Sequence, residues 1–413
     1  MNRMKATLPR ALVSATVLTL AIAPATGDDW PGWRGPHRDS LCKEAGLLKS
    51  WPAEGPKLLW KAKGLGEGLS GPAIVGDRLY TMGNSDGKEN VLALDLAHDG
   101  KLVWSSAIGD IRHTGGGYPG PRATPSVDGT RLYTLGINGD LVCMDTQDGH
   151  VLWSHDSVKD FGGKIHDQGY SESPLVDGPW VICTPGMKEA TMVALDKMTG
   201  ALVWAAPVGD QAAHSSVIKF TAAGVAQYVT VTGKGVIAVR ATDGKFLWRK
   251  DHPAINCMTV VTSGETVFMT NEHGGGTISI HPAADGFEAK EIYFTKDLKN
   301  YHGGVVLVNG VVYGSSLNSL TCLDYMTGEV RWSDRGPGKC SVLYADGCLY
   351  CRDEGGMISL VEATPEGCHL KGQFKQPDRS RREAWPHLVI ANRRLYVRDQ
   401  DVLLCYDVAG PRQ

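Results

Sequence analysis

From residue 56 onward the chain is built of short apolar runs broken by Gly-containing turns, and one arrangement of them recurs. A strand rises to Leu-Asp or Met-Asp, a tight turn ends on Gly, and a second strand carries Trp four residues later. It is spelled by Leu94-Asp95 through Gly100 to Trp104, Met144-Asp145 through Gly149 to Trp153, Leu195-Asp196 through Gly200 to Trp204, and Leu323-Asp324 through Gly328 to Trp332. Val239-Arg240 through Gly244 to Trp248 repeats the frame with Arg in place of Asp. The Trp positions 60, 104, 153, 204, 248 and 332 lie 44, 49, 51, 44 and 84 residues apart, the last interval being two periods with a degenerate copy near Tyr293. Periods of this size mark an array of supersecondary units.

Upstream of each turn lies a hairpin pattern. Ser126 to Thr134 and Val306 to Tyr313 each place a Gly-containing turn between two β-branched or aromatic runs. Each period therefore holds four short strands, and no segment keeps an apolar face at helical spacing for three turns. Four strands per unit predict an all-β fold, a β-propeller with four antiparallel strands per blade. Inner hairpins fall at 72–82, 124–135, 174–184, 217–231, 259–270, 305–314, 342–351 and 388–397, which makes eight blades. The last lacks a fourth strand, and the unpaired segment Pro56 to Ala62, with Trp60, is predicted to supply it and close the ring, because an open ring exposes two strand edges.

Residues 1–27 read as a signal peptide: Arg3, Lys5 and Arg10, an apolar stretch from Ala11 to Ala23, then Ala25-Thr26-Gly27. The apolar stretch is too short to span a membrane, and no Cys follows it closely enough to expect a lipid anchor. The chain is thus expected to be exported, to the periplasm or beyond. Residues 28–55 form a Trp-rich arm with Trp30, Trp33 and Trp51, expected to clasp the propeller of residues 56–413. Without the leader, 39 Lys and Arg face 45 Asp and Glu, a charge of −6 that argues against nucleic acid as a partner.

Ten Cys invite a disulfide framework, but that logic belongs to chains too short to bury a core. Cys143, Cys322 and Cys405 occupy the slot filled elsewhere by Ala93, Ala194 and Ala238, so they read as small buried hydrophobes. Cys348 and Cys351 have metal-like spacing on a strand, where residues three apart face opposite sides; Cys340, beside Lys339, stays open. Gly66-x-Gly68-x-x-Gly71 matches the dinucleotide fingerprint in letters, yet a strand follows it where that fingerprint needs a helix. No nucleophile elbow, zinc-protease helix or Walker motif is present, and the 13 His show no paired metal spacing, so no metal site is expected.

The Asp-x-x-x-Gly-x-x-x-Trp repeats, the start Asp29-Trp30-Pro31-Gly32-Trp33-Arg34-Gly35, and the stretches Gly169 to Pro174 and Tyr301-His302-Gly303-Gly304 resemble the secreted bacterial PQQ-like β-propeller repeat proteins over essentially the whole mature chain. The resemblance extends to pyrroloquinoline-quinone alcohol dehydrogenases, which are enzymes, and to the lipoprotein subunit of the outer-membrane barrel-assembly machinery, a scaffold. The first implies a quinone cofactor with calcium, a disulfide between adjacent cysteines and an Asp base. This chain has no Cys-Cys pair; Glu172, Asn256 and Asp378 are oxygen ligands of the right type, but no spacing marks them as a site. The expected function is a binding or scaffold module, with a quinone-dependent dehydrogenase as the alternative and catalytic residues unassigned.

In a propeller the residues just before each inner strand converge on the mouth of the axial channel. Here they are Arg122, Tyr170, Glu172, His214, Asn256, Tyr301, His302, Lys339, Trp385 and His387, which differ from blade to blade while the Trp frame does not. A structural position in a repeat is expected to repeat, so these residues form the candidate ligand site, suited to a small polar or anionic ligand or to a peptide or protein partner of a monomeric chain. At a solvated rim, Glu172 and His302 are expected to contribute little to stability. Long connections at 105–121, with Arg112, His113 and Tyr118, and at 154–169, with Lys159, Lys164 and His166, feed the same face. The basic run Lys375, Arg379, Arg381 and Arg382 reads as solvated surface.

Overall fold

The computed structural model describes residues 28–112, 120–252 and 257–411; the expected leader, His113, Tyr118 and Asn256 lie outside them. Eight antiparallel four-stranded sheets stand in a ring, at 73–110, 126–156, 175–206, 218–251, 261–295, 305–334, 340–375 and 389–407. The eighth is completed by Lys57–Ala62, which pairs with Val402–Asp407, Trp60 opposite Cys405. The ring closes as the strand count predicts.

The repeat letters have separable physical jobs. The Asp opens an Asx turn: Asp196 Oδ1 accepts the amides of Met198 and Thr199, and Asp324 Oδ1 those of Met326 and Thr327. Four residues on, the Gly amide returns to the Asp carbonyl, Gly200 to Asp196 at 2.8 Å and Gly328 to Asp324 at 3.0 Å. This Gly has positive φ, and a Cβ on it would strike the Trp of the preceding blade: Gly100 meets Trp60, Gly149 meets Trp104, Gly200 meets Trp153 and Gly244 meets Trp204, all within 3 Å. Gly328 meets Tyr293 in the same way, so Tyr293 fills the Trp slot of the degenerate fifth copy. In blades one to four and six the turn thus docks on the outer-strand aromatic of the preceding blade. The indole N–H of Trp104, Trp153 and Trp332 completes the joint by donating to a carbonyl of the next blade, at Thr146, Lys197 and Thr364.

The shared Cys/Ala slot pairs with the outer-strand Trp on one side and, at Ala93 and the three Cys positions, with a Tyr on the other; at Ala194 and Ala238 that partner is Ile182 or Val229. Cys143 pairs across to Tyr133 and Trp153, Cys322 to Tyr313 and Trp332, and Cys405 to Tyr396 and Trp60. Only a small side chain fits there, and all three thiols are buried and free. Cys348 and Cys351 do face opposite ways, one into the cluster shared with blade eight and the other into that shared with blade six. Cys340 is buried beside Cys351. The glycine run at 66–71 is a loop pinned by Asp401 and Gln400, which accept the amides of Gly66 and Gly68.

The arm does more than clasp the outside. Trp30 exchanges both backbone hydrogen bonds with Ile74, and Val127 N–H donates to Pro31 O. Leu41–Cys42 then pairs in parallel with the axial edge of Cys340–Ala345. Between these anchors the chain crosses the axis. Arg38 donates to the carbonyls of Ser173, Pro174 and Val217, Arg34 to that of Val305, and Trp33 Nε1 to Thr259 Oγ1 while its ring packs on His387. Residues 30–42 therefore touch the innermost strand of all eight blades, or the residues leading into it, and plug the channel. Only Trp51 works as an outer clasp, edge-on to Tyr350 and Phe374.

Candidate axial binding site

The segments entering the inner strands meet above this plug, and the burial of each side chain shows which of them reach the mouth. Ser171 is half-buried and faces it, whereas its neighbours Tyr170 and Glu172 point between blades and are 3% and 2% exposed. Tyr170 Oη donates to Pro185 O at 2.8 Å. Glu172 accepts the Thr184 amide at 2.6 Å and its hydroxyl at 3.1 Å; burial pushes its carboxyl up to about 7 against these bonds and the attraction of Arg38. These two candidates are core polar groups, and the expectation that Glu172 is dispensable for stability is corrected accordingly. His387 is also inside, under Trp33, with Nε2 3.1 Å from His302 O; desolvation holds its imidazole down at about 3, so Nε2 carries the proton and donates.

Four of the remaining candidates gather on blades six to eight around a residue the sequence did not single out. Glu354 Oε1 lies 2.9 Å from His302 Nε2, 2.9 Å from Lys339 Nζ and 2.8 Å from Trp385 Nε1. These donors, His302 first, hold the Glu354 carboxyl down at about 2 against partial burial. Lys339 also lies 5.1 Å from the Tyr301 ring centroid, and the His302 ring 4.4 Å from that of Trp385. Glu354 sits in the Asp353-Glu354-Gly355-Gly356 turn, which reads like any other turn; its one distinguishing mark is an acidic residue on the face where Lys339 and His302 converge.

Across the axis, on blades two to four, Arg122 Nη1 donates to Gln168 O at 2.6 Å and His166 Nδ1 accepts the Gln168 amide at 3.3 Å. The rings of His166 and His214 meet edge to face at 4.2 Å, and Ser171 Oγ is 2.7 Å from His214 Nδ1. Of the loop residues expected to feed this face, Arg112 and His166 arrive here, while Lys159 pairs with Asp156 on an exposed turn. Arg379 of the basic run is not solvated: it reaches the fully buried Asp399. On the far side of the plug, a cleft of about 510 Å³ opens between His37 and Asp39 of the arm and the inner strands of blades three to six.

Of the oxygen ligands weighed for a quinone-bound calcium, the two among the described residues lie apart. Glu172 is committed to Thr184, and Asp378 lies on the outer surface against Lys61. Among the described residues no three His, Cys, Asp or Glu converge on a point that would hold a metal ion, and none of the helices is long and apolar enough to cross a membrane.

Comparison with known proteins agrees with the geometry. The outer membrane protein assembly factor BamB of Moranella endobia (strain PCIT) is 24% identical over 276 residues, 63% of this chain and 69% of that protein. The crystal structure of BamB from Moraxella catarrhalis superposes with a TM-score of 0.58 at 13% identity, covering 86% of this chain and 98% of the other. Quinohemoprotein alcohol dehydrogenase from Comamonas testosteroni gives 0.66 at 12% identity, covering 93% and 81%. These two likenesses establish the shared propeller and nothing finer. The match of residues 87–334, more than half of the chain, to the family model described as outer membrane protein assembly factor BamB places this PQQ-like repeat propeller in that family.

Proposed function

We propose that the protein is an exported β-propeller acting in the periplasm as a binding or scaffold module, and that it engages its partner through the mouth face of the axis. The observation that carries this reading is the half-buried ring of Arg122, Ser171, His214, Tyr301, Lys339 and Trp385, blade-specific polar and aromatic groups on an otherwise repetitive frame. The aromatic and Arg content is that of interaction hot spots. Kinship with an assembly factor supports a partner that is a protein or peptide. The dehydrogenase alternative draws support only from shared fold, and Glu172 and Asp378, weighed as its oxygen ligands, are engaged elsewhere.

The test is photo-crosslinking in the native host. A photoreactive residue at Ser171 or Tyr301 is expected to give adducts that a second change, Lys339→Ala, diminishes. The same probe at the exposed outer-strand residue Leu202 is expected to give none. Adducts from Leu202, or from Lys219 beside the far cleft, with none from the mouth, would place the interaction elsewhere and refute the reading.

A further inference from the structure

We propose that the plug encloses a binding site for a single monatomic anion, a halide, held by Arg34 of the arm and Thr124 at the entry of blade two. The site lies within the axis, so the proposal stands apart from the partner reading at the mouth.

Four arginines are buried: Arg34, Arg38, Arg352 and Arg398 are 3%, 7%, 1% and 0% exposed. A guanidinium stays ionised in a protein, and burying its charge is costly unless an opposite charge answers it. Three of the four have a carboxylate close by. Arg38 lies in the field of Glu172, Arg352 Nη2 stands 3.9 Å from Asp399 Oδ2, and Arg398 lies in the field of Asp401 and Asp399. Arg34 has only Asp39 in its field, a half-buried carboxylate whose Oδ1 accepts the Leu41 amide at 3.0 Å. Its Nη2 donates to the carbonyls of Asp39 and Val305. Both Nε and Nη1 are buried without a hydrogen-bond partner, and Arg34 makes no ion pair among the described residues.

A small cavity lies against this side chain, between the plug and the segments that enter blades one, two and eight. It leaves about 10 Å³ for the centre of a water-sized group, and its walls include Gly32, Trp33, Arg34, Gly71, Thr124 and His387. Thr124 is 2% exposed, and its Oγ1 also has no partner. Glycines keep the space open: a Cβ on Gly71 would stand 2.9 Å from Thr124 Oγ1, and one on Gly304 would stand 2.9 Å from Arg34 Nη1. The other polar groups of the wall are spent, Trp33 Nε1 on Thr259 Oγ1 and His387 Nε2 on His302 O. What the cavity offers is therefore two N–H donors of a cation and one hydroxyl, which together select an acceptor of negative charge. A water molecule would satisfy the hydrogen bonds but leave the buried charge unanswered. The volume admits one atom-sized occupant and is too small for a phosphate or carboxylate group.

Anomalous diffraction at the bromine edge, from crystals of the mature protein equilibrated in sodium bromide, tests this. A peak is expected within hydrogen-bonding distance of Arg34 and Thr124 Oγ1, and none in Arg34→Met. In solution, thermal unfolding is followed while sodium bromide replaces sodium gluconate at fixed ionic strength, so that screening is held constant. The midpoint of the native protein is expected to rise with bromide relative to that of Arg34→Met, as mass action on a site present only in the fold requires. Thr124→Val keeps the shape and the arginine, and is expected to weaken halide binding about tenfold, the equivalent of one hydrogen bond to a charged group. It serves as the test if Arg34→Met does not fold. Density at the site without an anomalous peak identifies an ordered water and overturns the proposal. A peak without a bromide-dependent midpoint means binding at crystal concentration only, and overturns it as well. So does a bromide response that is the same in the native protein and in Thr124→Val.

Discussion

Glu89→Gln is expected to stabilise the protein at alkaline pH and to leave it nearly unchanged in mild acid. Glu89 is 0% exposed on the third strand of blade one, and its oxygens lie 3.2 and 3.0 Å from the Ile137 amide nitrogen. Burial raises its carboxyl from 4.5 to about 8; the Ile137 bond opposes the shift, Asp140 adds to it and Arg122 opposes it. A carboxyl whose folded value lies above its unfolded one stabilises fully below the unfolded value, and that stabilisation is lost as pH rises through the folded one. The window is therefore about pH 4.5 to 8. At 1.36 kcal/mol per unit the gap sets a ceiling of about 5 kcal/mol for the loss. Gln keeps an acceptor for Ile137 and cannot ionise. Urea unfolding of both proteins at about pH 5 and about pH 9 measures the difference directly, since all other titrations cancel between them. The native protein is expected to lose several kcal/mol more than the variant across that interval. Parallel pH dependences would show that Glu89 is solvated or ionised in the fold and would refute the reasoning.

Two further outcomes follow from the frame. Trp60→Ala removes an aromatic that is 8% exposed and packs on Gly100 at the ring closure, and is expected to cost about 3–5 kcal/mol in chemical unfolding; a neutral effect would mean that the closing strand contributes little. Cys143, Cys322 and Cys405, confined between Tyr and Trp on their sheets, are expected to resist alkylation in the native state and to react on unfolding, so rapid native labelling followed by mass spectrometry would contradict their placement.

The frame was legible because its chemistry repeats. An Asx turn needs Asp, the docking site under the preceding blade's aromatic needs Gly, and the slot opposite the outer-strand Trp takes Ala or Cys, so each contact leaves the same letter at the same period. Even the degenerate copy kept its joint, with Tyr293 against Gly328. The arm left no such trace. Arg38 acts on the carbonyls of Ser173, Pro174 and Val217, more than a hundred residues away, and carbonyls carry no sequence signature. Three Trp in the arm called for apolar cover, but nothing in their spacing indicated that Trp33 would find it inside the axis rather than on the outer wall.

The same arm explains why the candidate site was read only in part. Variation among blades is a sign of function only if every blade meets the same surroundings. A plug that crosses the axis once gives each blade a different neighbour, so a side chain can vary for structural reasons alone. His387 is the clear case: Trp33 packs on its ring, whereas Thr259, on blade five, meets the same Trp33 through a hydrogen bond to its indole N–H. Glu172, within the field of Arg38, is another. What survives this correction are the blade-specific residues set above the plug: Ser171, half-buried between two buried neighbours, with Arg122, His214, Tyr301 and Lys339. Their differences are not imposed by the arm, and so they are the ones a partner has to account for.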